Sequence, residues 1–406
     1  MTSTQQTFDI VIAGGGLSGA LAAIALSAIQ PKHGKALSIA VIEKNPLQQD
    51  PKQSFDDRVL ALSHASASYL KELGIWQYLT DVSQGIADIH ISDRGYYGKA
   101  RITATDHQVE ALGYVVEMAQ IGKAFLNKLK GNNQVTWFCP DTITSINWQQ
   151  ASVNVALESG AIINAKLLLG CDGAQSQCRQ AANIAITSKP YQQSALITNV
   201  AMVKPHNNIA YERFTEFGPI AMLPLASQSG NAESHRCSLV WTLPPEQAAE
   251  IKSLSDKDFN VTLEKAFGSW LGGVEKLGTR HIYPLHLVQA QEQVYHRMAL
   301  IGNASHTIHP IAGQGFNLGL RDVQQLAQQI ENALDLQIDY AQFAQLSMYA
   351  EKRKKDHNTV IELTDSLVTL FSNHLPPLVI GRNLGLKALN YLSPLKNAFV
   401  NKTMGY

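Results

Sequence analysis

Three short stretches of this chain place residue types at spacings that can do chemistry. The first is Gly14-Gly15-Gly16-Leu17-Ser18-Gly19, a Gly-x-Gly-x-x-Gly pattern. It suits a nucleotide diphosphate. Gly14 lets the chain turn sharply, Gly16 lets backbone approach the phosphates, and Gly19 lets the next helix lie close to its strand. The diphosphate would sit on the unpaired N–H groups of the first helical turn. Glu43, about 20 residues beyond that loop, would accept hydrogen bonds from a ribose hydroxyl. The second stretch is Gly170-Cys171-Asp172-Gly173, with Ser176 and Arg179 behind it. The third runs from Gly302-Asn303 through His306 and His309-Pro310 to Asp322. Its Gly313-x-Gly315 offers backbone donors to a second anionic or electron-rich group.

Two further side chains invite a chemical reading. Arg58 could hold a phosphate bidentately, or it is the solvated end of a helix. His306-x-x-His309 has the residue type of a metal pair. Both histidines lie in a proline-bearing loop without a third ligand at suitable spacing, so hydrogen-bonded loop histidines are expected and no metal.

These residues need strands and helices to position them. Residues 9–13 are a short apolar, β-branched run, residues 18–29 carry apolar side chains at helical spacing, and residues 37–42 form a second strand ending at Glu43. Residues 44–57 read as a loop, and residues 59–73 as a helical pattern stopped by Gly74. Short strands fill residues 86–118, followed by a helix over 119–129. Residues 135–163 look like a small β-meander that leads into 167–169, a fully apolar run expected as a buried parallel strand. Asp172-Gly173 then falls at a strand's carboxyl end, where such sheets place ligand loops.

From 191 to 283 strand-like stretches alternate with turns around one helical insert at 246–271, as in a separate antiparallel sheet. Residues 298–301 read as a buried strand, 310–315 as an extended glycine loop, and 316–334 as a helix. Beyond Lys352–Lys355, an apolar face of Val360, Leu363, Leu367, Leu370 and Phe371 is broken at Pro376-Pro377. A last segment, 378–392, keeps an apolar face with Arg382 and Lys387 interspersed. This C-terminal region reads either as a helical cap on the core or as a helix pair for a membrane surface or partner.

Composition narrows the class. A chain of 406 residues exceeds the usual limit for one hydrophobic core, so two joined domains are expected. Lys+Arg and Asp+Glu are both 33, so no overall field recruits nucleic acid. Cys139, Cys171, Cys178 and Cys237 form no CxxC pair and suit a reducing cytosol. No segment has the length and apolarity of a membrane span, and a cytoplasmic protein or one lying on the inner membrane is expected.

Together the three glycine-bearing motifs, in this order over residues 8–322, resemble the flavoprotein aromatic hydroxylases of the para-hydroxybenzoate hydroxylase fold. Residues 309–322 and 57–63 are similar to the ubiquinone-biosynthesis branch, most of all to hydroxylases of 2-polyprenyl-6-methoxyphenol. The resemblance implies an α/β fold: a Rossmann-type FAD-binding domain (1–75, 101–185, 285–355) interleaved with an antiparallel-sheet substrate domain (76–100, 186–284), plus C-terminal helices (356–406). It implies FAD, NAD(P)H as co-substrate, a C4a-hydroperoxyflavin, O2 and a prenylated phenol. A membrane surface or a biosynthetic protein complex would be the partner.

By the same resemblance Glu43 binds the adenosine ribose and Arg58 lies near the pyrophosphate or NAD(P)H. Asp172 and Gly173 line the cleft between flavin and nicotinamide, and Pro310, Gly313, Gly315, Phe316 and Asn317 surround the isoalloxazine. Two positions depart from the pattern. Asn303 stands where the family usually has aspartate and keeps one acceptor oxygen without the charge, and Gln120 stands where many relatives have a flavin-contacting arginine. His306 and His309 are candidates by residue type for the group that withdraws the phenol proton. Rival readings are a hydroxylase of another ring position, a prenyl-chain reductase, and a flavin-bearing scaffold without activity.

Overall fold

Unbroken apolar runs make the frame. In a computed structural model, which describes residues 5–47, 58–227, 234–371, 381–385, 387, 388, 396, 397, 400 and 402–405, these runs pair side by side in parallel. The order is Val135–Phe138, Ile39–Ile42, Gln5–Ala13, Ile162–Gly170 and Met298–Leu300. Ile10, Val11 and Ile12, like Leu167, Leu168 and Leu169 beside them, are fully buried. Both faces are covered, so alternation vanishes. The helices Leu17–Ser27, Met118–Leu129 and Gln314–Asp335 pack on one face. Strands Ile143–Trp148 and Val153–Leu157 fold back over the other.

The expected β-meander is therefore differently joined. Val135–Phe138 is not part of it but extends the parallel sheet beside Ile39–Ile42. Residues 162–163 and 167–169 belong to one strand, Ile162–Gly170, because no glycine or proline interrupts them.

A second, nine-stranded sheet stands against the first. Its strands include His281–Ala290, Ile186–Met202, Arg236–Leu243, Gly218–Pro224, Ile209–Thr215, Asp88–Asp93 and Lys99–Thr103. Pairing is antiparallel except between Ile209–Thr215 and Asp88–Asp93, which come from distant parts of the chain and run parallel. The predicted single helical insert is two helices, Pro245–Ser253 and Asp256–Phe267, packed on one face of this sheet. Ser255 separates them by capping the second, its hydroxyl accepting from the Asp258 N–H at 3.1 Å.

Between the large sheets, Val59–Ser63, Gly113–Glu117 and Ser83–Gly85 form a three-stranded sheet. The helical pattern expected from residue 59 thus begins as a strand. Its last residue, Ser63, caps the helix His64–Glu72.

Two expectations near the third motif are also revised. Residues 310–315 are not extended: Ile311–Gly313 is a tight helical turn, and the long helix already starts at Gln314. The helix carrying Val360 runs over Phe343–Phe371 and ends with Phe371 stacked on Phe214, ring centroids 3.6 Å apart. Leu367 and Leu370 join them, so this end caps the nine-stranded sheet. Pro376-Pro377 and most of 378–392 lie outside the described residues. Among those described, no helix is long and apolar enough to cross a membrane.

Candidate functional site

The first glycine turn is shaped by what surrounds it. Gly14 has φ +95°, and a Cβ there would stand 2.6 Å from the Cys171 carbonyl oxygen. At Gly19 a Cβ would stand 1.8 Å from the Gly14 oxygen, so helix and strand close on each other only without side chains. Gly16 differs: a Cβ would meet nothing within 4 Å. The protein does not require its smallness; whatever approaches the turn would. No side chain caps the helix that follows and no acid lies in its first turn, leaving its N–H groups for an anion. Glu43 braces the turn, its carboxylate accepting from the Gly15 N–H and the Asn45 N–H, both at 2.8 Å.

The second and third motifs meet this turn across the strand ends. Asp172 accepts from the Cys178 N–H at 3.0 Å, while its other carboxylate oxygen is buried without a partner. Arg179 donates to the carbonyls of Ala174 and Ala304, both at 2.8 Å, and so ties the Asp172-Gly173 loop to the Gly302-Asn303 turn. Gly319 lets the helix Gln314–Asp335 cross that turn: a Cβ on it would come within 3.1 Å of the Gly302 Cα.

Asn317 is consumed structurally. Its amide donates to Ala61 and Gly313 carbonyls at 2.8 and 2.9 Å, and its oxygen accepts from the Ser63 N–H at 2.9 Å. It clamps the strand Val59–Ser63 to the helix. Gly313, with φ +61°, starts that helix without a side-chain cap, and a Cβ there would strike Ala61 at 2.7 Å.

These turns open on a cavity of about 890 Å³. Gly16, Arg58, Gly173, Asn303, Pro310, Gly313, Gly315, Phe316 and Asn317 all line it. Arg58 is not a helix end; it precedes the strand Val59–Ser63 with its guanidinium over the Tyr283 ring, 5.3 Å from the centroid. A second hollow of about 530 Å³ shares Gly16 and is lined by Glu43, Asn45 and Met118. Gln120 lines neither, although Met118 and Ala119 beside it line the second.

The two candidate histidines are elsewhere. His306 is 1 % exposed, with neither ring nitrogen hydrogen-bonded. Burial pushes it down to about 3, so it is neutral. His309 accepts from the Ile311 N–H at 3.2 Å and packs edge-on to Tyr191; burial pushes it down to about 4. Neither lines the cavity, although Thr307, Ile308 and Pro310 beside them do.

His306 instead gathers with Asp322 and His357, residues that sequence spacing did not bring together. Burial alone would raise the Asp322 carboxyl. The neighbouring His357, His306 and Arg353 overcome that and hold it well below the usual carboxylate range. It accepts from Arg353 at 2.7 Å, His357 at 2.8 Å and the Gly302 N–H at 3.2 Å. A third metal-ligand type is thus at hand after all, yet the guanidinium already supplies the positive charge such a site would attract. Asp322 serves the site by holding the Gly302 turn in place.

Comparison with known proteins decides the family. A family profile described as an FAD binding domain matches residues 7–364. The chain belongs to the FAD-dependent monooxygenases. The ubiquinone hydroxylase UbiL of Rhodospirillum rubrum is 35% identical to the flavoprotein over 99% of this chain and 91% of its own length. The 3-demethoxyubiquinol 3-hydroxylase of Escherichia coli is 32% identical over 99% and 100%. Among solved structures, p-nitrophenol 4-monooxygenase PnpA of Pseudomonas putida superposes with a TM-score of 0.76 at 17% identity, covering 98% of both chains. The fold is that of para-hydroxybenzoate hydroxylase, and the cofactors are FAD and NAD(P)H. The open Gly16, the two uncapped helix N-termini and the hollows meeting at Gly16 all fit FAD.

Proposed function

We propose that this flavoprotein hydroxylates the aromatic ring of a prenylated phenol in ubiquinone biosynthesis, with a 2-polyprenyl-6-methoxyphenol as substrate. The observation that carries this reading is the shared cavity. The glycine turns and the inner face of the nine-stranded sheet enclose one space, and on the sheet side its wall is mostly Ile, Ala, Val, Leu and Phe. A ring would have to lie between the turns and that wall, with its tail against the apolar part. Each buried CH2 contributes about 0.8 kcal/mol, so one isoprene unit adds roughly 3–4 kcal/mol, enough to favour a prenylated phenol over a free one by orders of magnitude. The names of the ubiquinone hydroxylases among the relatives support the same substrate class.

In this reading the first glycine turn holds the diphosphate of FAD and Glu43 meets its ribose. Asn303 meets the ribityl chain, and residues Pro310 to Phe316 border the isoalloxazine. Bound FAD, reduced by NAD(P)H, supplies the activated oxygen from O2. The chain's own task is to orient the ring and exclude water. Arg58 and the Asp172-Gly173 loop flank the approach of NAD(P)H. A prenylated substrate also places the enzyme at a bilayer surface or within a biosynthetic assembly, and flotation with lipid vesicles tests the first of these.

The test of function is anaerobic stopped-flow absorbance of the FAD-loaded protein with NAD(P)H, with and without a short-chain 2-prenyl-6-methoxyphenol, followed by O2. Faster flavin reduction with the phenol and a hydroxylated product support the reading. Product formation without O2 indicates a reductase. Flavin that stays oxidised with every phenol indicates a scaffold.

A further inference from the structure

The sheet wall of the cavity carries one group that does not belong on an apolar surface. Along Ile209–Thr215 side chains alternate. The Tyr211 ring and the Arg213 guanidinium pack against Trp270, at 5.7 Å between ring centroids and 4.8 Å from guanidinium to ring, although Tyr211 also borders the cavity. Ala210, Glu212 and Phe214 point the other way. Register then sets Glu212 in a row that crosses five strands: Ile91, Glu212, Ala221, Val240 and Ile197, each opposite the next. All five line the cavity. Glu212 is the one carboxyl among its described lining residues.

Nothing satisfies that carboxyl. Among the described residues no hydrogen bond or ion pair reaches Glu212. Glu212 is half-buried, on the face that lines the cavity. Burial pushes it up to about 7, with no neighbouring charge contributing. The charged and titratable groups around it are engaged elsewhere. Asp93, on the same face of the adjacent strand, is bound by Arg382 at 2.7 Å. Arg58 lies over Tyr283, and Tyr211 and Arg213 pack against Trp270. Cys171 lies behind the glycine turn, its thiol pushed far up by burial. The long helix faces this space with Leu367, Leu370 and Phe371. An unpaired carboxyl in such a place is unfavourable unless a ligand completes it.

We propose that Glu212 receives the phenol proton of the substrate, a role that rests on the ring-hydroxylation reading above. Its carboxylate oxygen takes the proton from the substrate O–H, and the electron pair of that bond stays on the phenolate oxygen. Electron density rises at the ortho and para ring carbons, one of which gains the oxygen atom. The proton returns from Glu212 to the phenol oxygen as the hydroxylated carbon loses its hydrogen. That hydrogen leaves as a proton to the water formed from the second oxygen atom of O2. Glu212 ends the cycle as it began.

The experiment uses the full-length, FAD-loaded protein and its Glu212→Gln variant, with a short-chain 2-prenyl-6-methoxyphenol as probe. Near-ultraviolet difference absorbance of the bound phenol reports binding, and flavin content and melting temperature report folding. In the wild type the hydroxylation rate grows as pH rises through about 7, where the Glu212 carboxyl becomes free to accept a proton. Glu212→Gln binds the phenol within about threefold but loses that rise with pH, and its hydroxylation rate falls roughly 100-fold while peroxide release takes its place. Formate added to Glu212→Ala restores part of the rate and of the product. Equal pH profiles and equal product in wild type and Glu212→Gln overturn the proposal while leaving the hydroxylase reading intact. A wild type that neither binds nor hydroxylates the phenol overturns both. Should Glu212→Gln lose flavin, the formate rescue of Glu212→Ala decides: no rescue in flavin-loaded protein counts against Glu212.

Discussion

Asp322 and Glu212 are both carboxyls enclosed by this molecule, and they have opposite fates. Asp322 sits behind the cofactor turn with Arg353, His357 and the Gly302 N–H converging on it, and it remains ionised. Glu212 sits on the sheet wall of the cavity among Ile, Ala and Val, and burial raises it to about 7. Burial penalises charge in both; partners decide which one keeps it. A satisfied charge makes a rigid post, whereas an unsatisfied one is a group in waiting. The glycine-turn side and the sheet side of this cavity differ in that respect.

The largest expected effect comes from removing the partnered charge. Asp322→Asn leaves Arg353 with Asp356 as its remaining counter-ion and weakens the acceptor of His357 and the Gly302 N–H, and should destabilise the protein by about 3 kcal/mol in denaturant melts, with loss of bound flavin as the Gly302 turn loosens. The Asp322 carboxyl titrates below its ordinary 3.8, so its contribution is fully present above that pH and is lost as pH falls through the lowered value. A variant as stable as the wild type at neutral pH would break the comparison.

Next is the unpartnered charge, where the opposite sign is expected. An unfolded glutamate ionises near 4.5, while folded Glu212 stays protonated until about 7, so wild-type stability declines between those values. Glu212→Gln has no such penalty. At about 1.4 kcal/mol per pH unit the variant should gain up to ~3 kcal/mol at mildly alkaline pH and nothing in acid. Melting temperatures measured across pH would show a widening gap; parallel curves would mean that Glu212 is not buried as described.

A smaller effect sharpens the geometry behind Asp322. Gly319→Ala puts a Cβ 3.1 Å from the Gly302 Cα and should destabilise by about 1–3 kcal/mol. Gly16→Ala meets nothing and should leave the flavin-free protein within about 0.5 kcal/mol of wild type. Its effect belongs in a flavin-retention assay, where it should weaken binding more than it moves the melting curve. The smallest effect should be His306→Leu, which removes an imidazole without hydrogen bonds and away from the cavity. Product formed per NAD(P)H consumed should not change; a large drop would return His306 to the chemistry.

Sequence by itself determined what backbone geometry demands locally. Gly14, Gly16 and Gly19 were legible because a turn that must bend, stay open and pack closely leaves glycine as the residue that does all three. The parallel strands were legible as unbroken apolar runs, and the order of three motifs pointed to a flavoprotein hydroxylase. Only the tertiary structure decided the fate of the acids and histidines. His306 and His309 have the residue type of catalytic bases, but the loop turns them into the protein and away from the cavity.

Asp322 sits within a helical stretch in sequence and gives no sign that Arg353 and His357 will close around it from another helix. In Ile-Ala-Tyr-Glu-Arg-Phe the alternation is visible, yet nothing in those six residues says which face meets the cavity. Register across five strands, with Ile91 brought from far away in the chain to stand opposite Glu212, settles that face. Turn geometry depends on neighbours in sequence and can be read there. The charge state of a buried carboxyl depends on neighbours in space, and these the chain acquires only by folding.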